Sequence, residues 1–152
     1  SDRQDVIHTT PRQTRKQVKD SLQMTCLLQD AAEAPPKKKA YEMGVEQPML
    51  RLTSTTDSLV RAGLTGVVSI VQSEGKGKME VVYYFQDYYV WVSGLSKVNV
   101  IKNQKLKPDD VIGTINKGDV IEIIITDFDT PVDPKKYINC ALQPATTLEG
   151  KK

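Results

Sequence analysis

Histidine is nearly absent from this chain, whose 152 residues include only one, His8. A catalytic zinc requires about three protein ligands, usually histidine with a carboxylate or a cysteine, and an open position for water. A serine or cysteine nucleophile requires a positioned base, and the only imidazole lies in residues 1–10, which carry little hydrophobic pattern. The composition therefore argues against zinc hydrolysis and against a Ser–His or Cys–His hydrolase.

Other common signals are missing as well. No run of apolar residues approaches the ~18 of a membrane-spanning helix. The net charge of +2 is too small to indicate a nucleic-acid partner, because no face-long stripe of Lys and Arg accompanies it. No Gly-x-Gly-x-x-Gly motif or phosphate-binding loop occurs. We therefore expect no nucleic acid, no transmembrane segment, no cofactor and no metal.

Cysteine is also scarce, since Cys26 and Cys140 are the only two and neither belongs to a C-x-x-C pair. Two interpretations stay open. The favoured one is a pair of partly buried thiols. The alternative is one disulfide that ties the amino-terminal part of the chain to the end of the domain. Such a bond would close a long loop and would require an oxidising compartment.

The amino-terminal third has helical spacing. Val18, Leu22 and Cys26 recur about every four residues, which predicts a helix over residues 11–34. Two prolines and three lysines follow at positions 35–39, and proline cannot continue a helix. We assign residues 1–45 to an arm, a helix and a linker.

From Pro48 onward the pattern changes to β-strands separated by turn residues. The candidate strands are residues 49–53, 65–71, 79–85, 88–93, 111–115 and 119–126. Short strands with a turn every ten or so residues indicate a mostly β, antiparallel domain, which we place at residues 46–140. Residues 141–152 read as a tail.

Three segments carry a family resemblance. Residues 57–68 match Gly-Thr-Pro-Val-x-Ala-x-x-x-Gly-x-Val, and residues 94–113 match a pattern that runs from His-Leu-Ser to Ile-Gly. Residues 118–138 end with Pro-Val-Asp-Pro and a Tyr-Ile, where the family has Tyr-Leu. In this order the segments resemble the lysostaphin-type (LytM-like) zinc endopeptidases. The resemblance covers about residues 46–140 and implies an antiparallel β-sheet of the LytM-like, duplicated hybrid type.

The departures from the family pattern concern its metal and catalytic residues. By alignment to the family, Gln47 and Arg51 stand where it has a His-x-x-x-Asp zinc pair, and Glu122 stands at the third ligand. Val120 and Gly94 stand at its two catalytic histidines. The resemblance therefore implies a retained scaffold with no catalytic residues and no metal ligands. The five positions would form a degenerate groove, which is a candidate partner surface.

Strand alternation predicts what this groove carries. Val120, Glu122 and Ile124 should share one face of the last long strand, and Ile121, Ile123 and Ile125 the other. In the family the first set lines the substrate groove. Here it offers two aliphatic side chains and one carboxylate. The groove could be filled by the chain itself, or it could receive a partner segment.

The resemblance also implies a function and a location. Relatives without zinc ligands activate wall-cleaving enzymes or form part of envelope complexes. We therefore expect a non-catalytic cell-envelope protein, a pseudo-peptidase that binds, regulates or scaffolds another envelope protein. The alternatives are a peptidoglycan-binding module without cleavage and a peptidase with a replaced active site. The implied location is periplasmic or extracytoplasmic, and a lipid anchor in the precursor stays open.

Overall fold

The structure is a computed structural model that describes residues 22–35, 37, 41–42 and 45–142. These residues form fifteen strands and one 3-10 turn. The strands are β1 (Met24–Thr25), β2 (Ala32–Glu33), β3 (Tyr41–Glu42), β4 (Val45–Glu46), β5 (Leu50–Thr53), β6 (Ser58–Arg61), β7 (Gly66–Gly75), β8 (Lys78–Phe85), β9 (Tyr88–Leu95), β10 (Lys97–Val98), β11 (Lys105–Leu106), β12 (Val111–Ile115), β13 (Val120–Asp127), β14 (Thr130–Val132) and β15 (Ile138–Asn139). The 3-10 turn is Pro134–Lys136.

An eight-stranded sheet is the largest element, with the strand order β11-β7-β8-β9-β13-β5-β2 and β14 paired to β13. All of its strand pairs are antiparallel. A three-stranded antiparallel sheet has the order β10-β12-β6. The mostly β, antiparallel architecture predicted from the strand pattern is confirmed.

β13 lies inside the large sheet and shows the predicted alternation. Ile121, Ile123 and Ile125 are each 0% exposed and belong to the hydrophobic core. Val120 and Glu122 point to the other face and are partly exposed. The same core contains Leu52 of β5, Val92 of β9 and Ile112 of β12, so both sheets contribute to it.

A buried tyrosine joins the two sheets. Tyr83 of β8 is 0% exposed, and its hydroxyl donates to the carbonyl of Ala62, which follows β6, at 2.6 Å. Burial raises the pKa of the Tyr83 hydroxyl far above its ordinary value, so it stays a neutral donor.

The predicted helix over residues 11–34 is wrong in the part that the structure describes. Residues 22–34 form β1, a turn and β2, while residues 11–21 lie outside the described part of the chain. Leu22, Met24 and Leu27 are buried, and β2 pairs with β5. Their spacing therefore reflects contacts with the β core, not one face of a helix. In the described part of the chain, no helix has the length and apolar character that crossing a membrane requires.

The favoured interpretation of the cysteines is also wrong. Cys26 and Cys140 form a disulfide across a sequence separation of 114 residues. The bond follows β1, which pairs in parallel with β15 at the other end of the domain. The residues assigned to an amino-terminal arm are thus covalently joined to the β domain, although the division at residue 45 stays a prediction.

Candidate functional site

The face of the large sheet that bears Val120, Glu122 and Ile124 is the candidate site, and we call it the open face. On β13 these three side chains are partly exposed, whereas Ile121, Ile123 and Ile125 on the opposite face are buried. The antiparallel registers align residues from five strands on this face. They form two rows that cross the strands side by side.

The first row is polar, and we call it the polar row. It consists of Arg51 (β5), Glu122 (β13), Ser93 (β9), Glu80 (β8) and Gln72 (β7). Arg51 Nε donates to Glu122 Oε2 at 3.1 Å. The Ser93 hydroxyl donates to Glu80 Oε2 at 2.8 Å, and Gln72 Nε2 donates to Glu80 Oε1 at 2.6 Å. These bonds hold the side chains in place across the sheet.

The polar row continues onto the segment that links β2 to β5. Lys37 Nζ lies 3.4 Å from Glu122 Oε2, and Arg51 Nη1 donates to the carbonyl of Pro35. Glu122 therefore has two cationic partners, one from the neighbouring strand and one from this linking segment.

The second row is apolar, and we call it the apolar row. It consists of Ile124 (β13), Trp91 (β9), Val82 (β8) and Ile70 (β7). Val82 is 1% exposed, while Trp91 is half-buried. The indole Nε1 of Trp91 is buried and has no hydrogen-bond partner among the described residues. Beyond this row, Tyr84 and Tyr89 have ring centroids 5.4 Å apart.

The structure brings together four of the five residues predicted for the degenerate groove. Arg51 and Glu122 are directly opposite each other on β5 and β13. Gly94 lies against Val120, since a Cβ at Gly94 would be 2.5 Å from the Val120 carbonyl oxygen. Gln47 is half-buried just before β5, and within the described chain no hydrogen bond or ion pair joins it to the other four.

These residues do not fit the zinc ion of the lysostaphin-type family. Arg51 supplies a cation where a dication needs a donor, and its bond to Glu122 engages the one carboxylate of the set. Val120 and Gly94 have no donor atom in their side chains. Gly94 has φ +91°, so a histidine there would be strained as well as crowded. Within residues 22–35, 37, 41–42 and 45–142, no three His, Cys, Asp or Glu side chains are grouped closely enough to hold a metal.

Sequence reasoning missed the part of the polar row on β8 and β9. Ser93 follows the buried and partly exposed alternation of β9, so the period of two could have placed it on the open face. The burial of β8 does not alternate in this way around Glu80. The alignment of the row also depends on register, and a β-bulge shifts the pairing of β8 with β9 between Met79 and Val81. Gly94 lies in β9 at this irregularity with φ +91°, and a glycine inside a strand pattern is the one sequence signal that could have indicated the bulge.

Several solved structures are similar to this fold, and three of them illustrate the range. A Helicobacter pylori Csd3 chain is matched with a TM-score of 0.64 at 14% identity, over 79% of this chain and 34% of that chain. A chain of the SpoIIQ–SpoIIIAH pore-forming complex is matched with a TM-score of 0.62 at 16% identity, over 86% of this chain and 98% of that chain. The antimicrobial peptidase lysostaphin from Staphylococcus simulans is matched with a TM-score of 0.54 at 15% identity, over 70% of this chain and 48% of that chain.

The chain has the fold of a lysostaphin-type, or LytM-like, peptidase domain. The resemblance seen in the sequence is therefore confirmed at the level of fold. No protein-family model matches the sequence, and no curated protein matches it significantly. The chain spans about a third of the Csd3 chain that it matches, 34% of its length. At these identities the likeness establishes the LytM-like fold and leaves the activity to be argued from the site.

Proposed function

We propose that this chain is a non-catalytic module of the bacterial cell envelope that binds another envelope protein through its open face. The observation that carries the proposal is the bond between Arg51 and Glu122. These residues stand at two positions where the lysostaphin-type family has metal ligands. A guanidinium and a carboxylate that satisfy each other form a polar contact, and neither is left to hold a catalytic metal.

The apolar row supports a binding role. Trp91 and Ile124 are partly exposed in the middle of the large sheet, next to the polar row. Tryptophan and tyrosine are enriched at protein interfaces because each joins a large apolar surface to a polar tip. One of the similar structures, the SpoIIQ–SpoIIIAH pore-forming complex, is itself a protein assembly, which is consistent with a partner protein.

The disulfide supports a location outside the cytoplasm. Disulfides persist in oxidising compartments and are rare where glutathione and thioredoxin keep thiols reduced. The bond between Cys26 and Cys140 therefore favours a periplasmic or extracytoplasmic site of action.

Peptidoglycan binding without cleavage is the second candidate, and the aromatic side chains of the open face favour it. Tyr84 and Tyr89 pack together beside Trp91, and flat aromatic surfaces suit sugar rings. Sedimentation with purified wall sacculi separates the two candidates. Retention on sacculi that Trp91→Ala removes would favour the glycan, and no retention would favour the protein partner.

The main test is affinity capture from envelope extract with a matched pair of variants. Ile124→Lys places a charge in the apolar row, whereas Ile101→Lys makes the same change at a loop residue that is 72% exposed. We expect an envelope protein to bind the unaltered chain and Ile101→Lys equally, and Ile124→Lys at least about tenfold more weakly, because a charge is costly to bury. The captured protein is then purified and its affinity measured directly.

Three results would contradict the proposal. The first is equal capture by Ile124→Lys, with urea unfolding midpoints that show both variants to be folded. The second is no capture of any envelope protein by the unaltered chain. The third is one tightly bound zinc per chain together with hydrolysis of wall peptides, which would restore the peptidase alternative.

A further inference from the structure

Glu80 differs from the other carboxylate of the polar row in its partners. It is half-buried, and among the described residues it accepts hydrogen bonds from two neutral donors, the Gln72 amide and the Ser93 hydroxyl. No lysine or arginine of the described chain pairs with it, whereas Glu122 pairs with both Arg51 and Lys37. A partly desolvated carboxylate without a counter-charge is a strong site for a cation.

The chain itself shows what kind of cation the polar row accepts. Lys37 comes from a Pro-Pro-Lys-Lys-Lys stretch, and its ammonium lies at Glu122 while the carbonyl of Pro35 accepts from Arg51. One carboxylate of the row is thus already bound by a lysine whose neighbouring backbone also contacts the row. Glu80 lies two strands further along, about 10 Å away at the usual strand spacing.

The apolar row lies beside Glu80 at a defined distance. Val82 follows Glu80 by two residues on β8 and is opposite Trp91 on β9, so the two rows are about 7 Å apart along the strands. An extended peptide places side chains i and i+2 on one face at the same spacing.

From this arrangement we propose that the open face docks an extended segment of a partner protein with a basic residue two positions from a large apolar residue. The lysine or arginine pairs with Glu80, and the apolar side chain covers Trp91 and Ile124. The proposal rests on the function proposed above and adds the chemistry of the partner. The proposed ligand is a protein segment, and a glycan ligand would overturn the proposal.

Selection from a phage-displayed random-peptide library on the full chain tests this proposal. We expect the selected peptides to share a Lys or Arg two positions from a large apolar residue. The best peptide should bind Glu80→Gln about tenfold more weakly. It should bind Glu33→Gln as it binds the unaltered chain, because Glu33 pairs with Leu52 on the opposite face of the sheet. Affinities are measured by isothermal titration calorimetry.

A double-mutant cycle that alters both Glu80 and the basic residue of the peptide separates their direct interaction from small effects of the substitution on folding. Replacing the basic residue of the peptide with norleucine should weaken binding to the unaltered chain about tenfold and leave binding to Glu80→Gln unchanged. Peptides without a basic residue, or equal losses on both proteins, would overturn the proposed role of Glu80.

The outcomes also separate this proposal from the proposed function. If Ile124→Lys abolishes peptide binding and Glu80→Gln does not, the open face binds proteins but Glu80 does not select them. If the unaltered chain selects no peptide and captures no envelope protein, both proposals fail. Retention on sacculi with no peptide selected would assign the face to a glycan and overturn the basic-segment proposal.

Discussion

At the residue scale, the residues at two metal-ligand positions of the family pattern form an ion pair in place of a metal site. Arg51 and Glu122 lie opposite each other on neighbouring strands, and each side chain is 22% exposed. In the family pattern both positions carry metal ligands, which need a cation between them. Here the Arg51 guanidinium is itself the cation, so it neutralises the Glu122 carboxylate without a metal. Glu80 lies in the same row, and among the described residues its carboxylate accepts from two neutral donors.

A double-mutant cycle measures this pair. Replacing Arg51 and Glu122 with alanine, singly and together, should give a coupling energy of about 1 kcal/mol, because the pair is partly shielded from solvent and also hydrogen-bonded. The matched control is the pair Lys135 and Glu33, which is 52% and 37% exposed and should couple by no more than about 0.5 kcal/mol. Urea unfolding at low salt supplies the seven free energies, since the two cycles share the unaltered chain.

Equal coupling in the two pairs would show that the neighbourhood of Glu122 is as solvated as the outer surface. That result would remove the physical basis for treating the polar row as a partly desolvated binding site.

At the element scale, β13 organises the molecule because it pairs with β9 on one side and with β5 and β14 on the other. Its start is held by Asp119, whose carboxylate accepts from Lys78 Nζ at 2.8 Å and from the Asn116 backbone N–H at 3.2 Å. The Asp119 carbonyl also accepts from the Thr53 hydroxyl at 2.8 Å. This corner therefore joins the beginning of β13 to β8 and β5.

The corner should make stability depend on pH. The hydrogen bond from Lys78 lowers the pKa of Asp119 below its ordinary value. A lowered pKa in the folded state contributes stability above the unfolded-state pKa, and that stability is lost as the pH falls through the folded-state pKa. Asp119→Asn should therefore be less stable than the unaltered chain at pH 7, and the difference should shrink at acidic pH.

Urea unfolding across a series of pH values checks this prediction. Asp109→Asn is the control, because Asp109 is exposed and its side chain pairs with no cation of the described chain. A difference for Asp119→Asn that is constant with pH would assign its effect to packing or hydrogen bonding and not to the charge.

At the scale of the whole molecule, one covalent bond joins the two ends of the described domain. Cys26 and Cys140 are 114 residues apart, and the two-residue ladder of β1 and β15 lies beside the bond. The bond therefore constrains most of the chain in the unfolded state.

Removing the disulfide should cost about 4–5 kcal/mol in the chain-entropy model for a loop of this length. The test is urea unfolding of the unaltered chain with and without a phosphine reductant, beside a Cys26→Ser/Cys140→Ser variant. We expect the reduced chain and the double variant to agree, and the reductant to leave the double variant unchanged. A loss below about 1 kcal/mol would show that the reduced, unfolded chain is already compact.

The sequence by itself determined the local elements of the β domain. The alternation in residues 119–126 and the candidate strands at residues 79–85 and 88–93 are short-range patterns, and β13, β8 and β9 appear where they predict. The family pattern also predicted the LytM-like fold and brought Arg51 and Glu122 to one site. These features depend on residues within a few positions or on a scaffold that many sequences share.

Only the tertiary structure decided three features: the secondary structure of residues 22–34, the bonding of the two cysteines and the alignment of the polar row. The apolar spacing of residues 22–34 fits a helix, but Leu22 and Met24 are buried in the β core and β2 pairs with β5. Glu80 meets Ser93 through a register that a bulge shifts. Contacts between positions far apart in the chain depend on strand order and register, and those are set by the packing of the whole core, which short-range patterns do not encode.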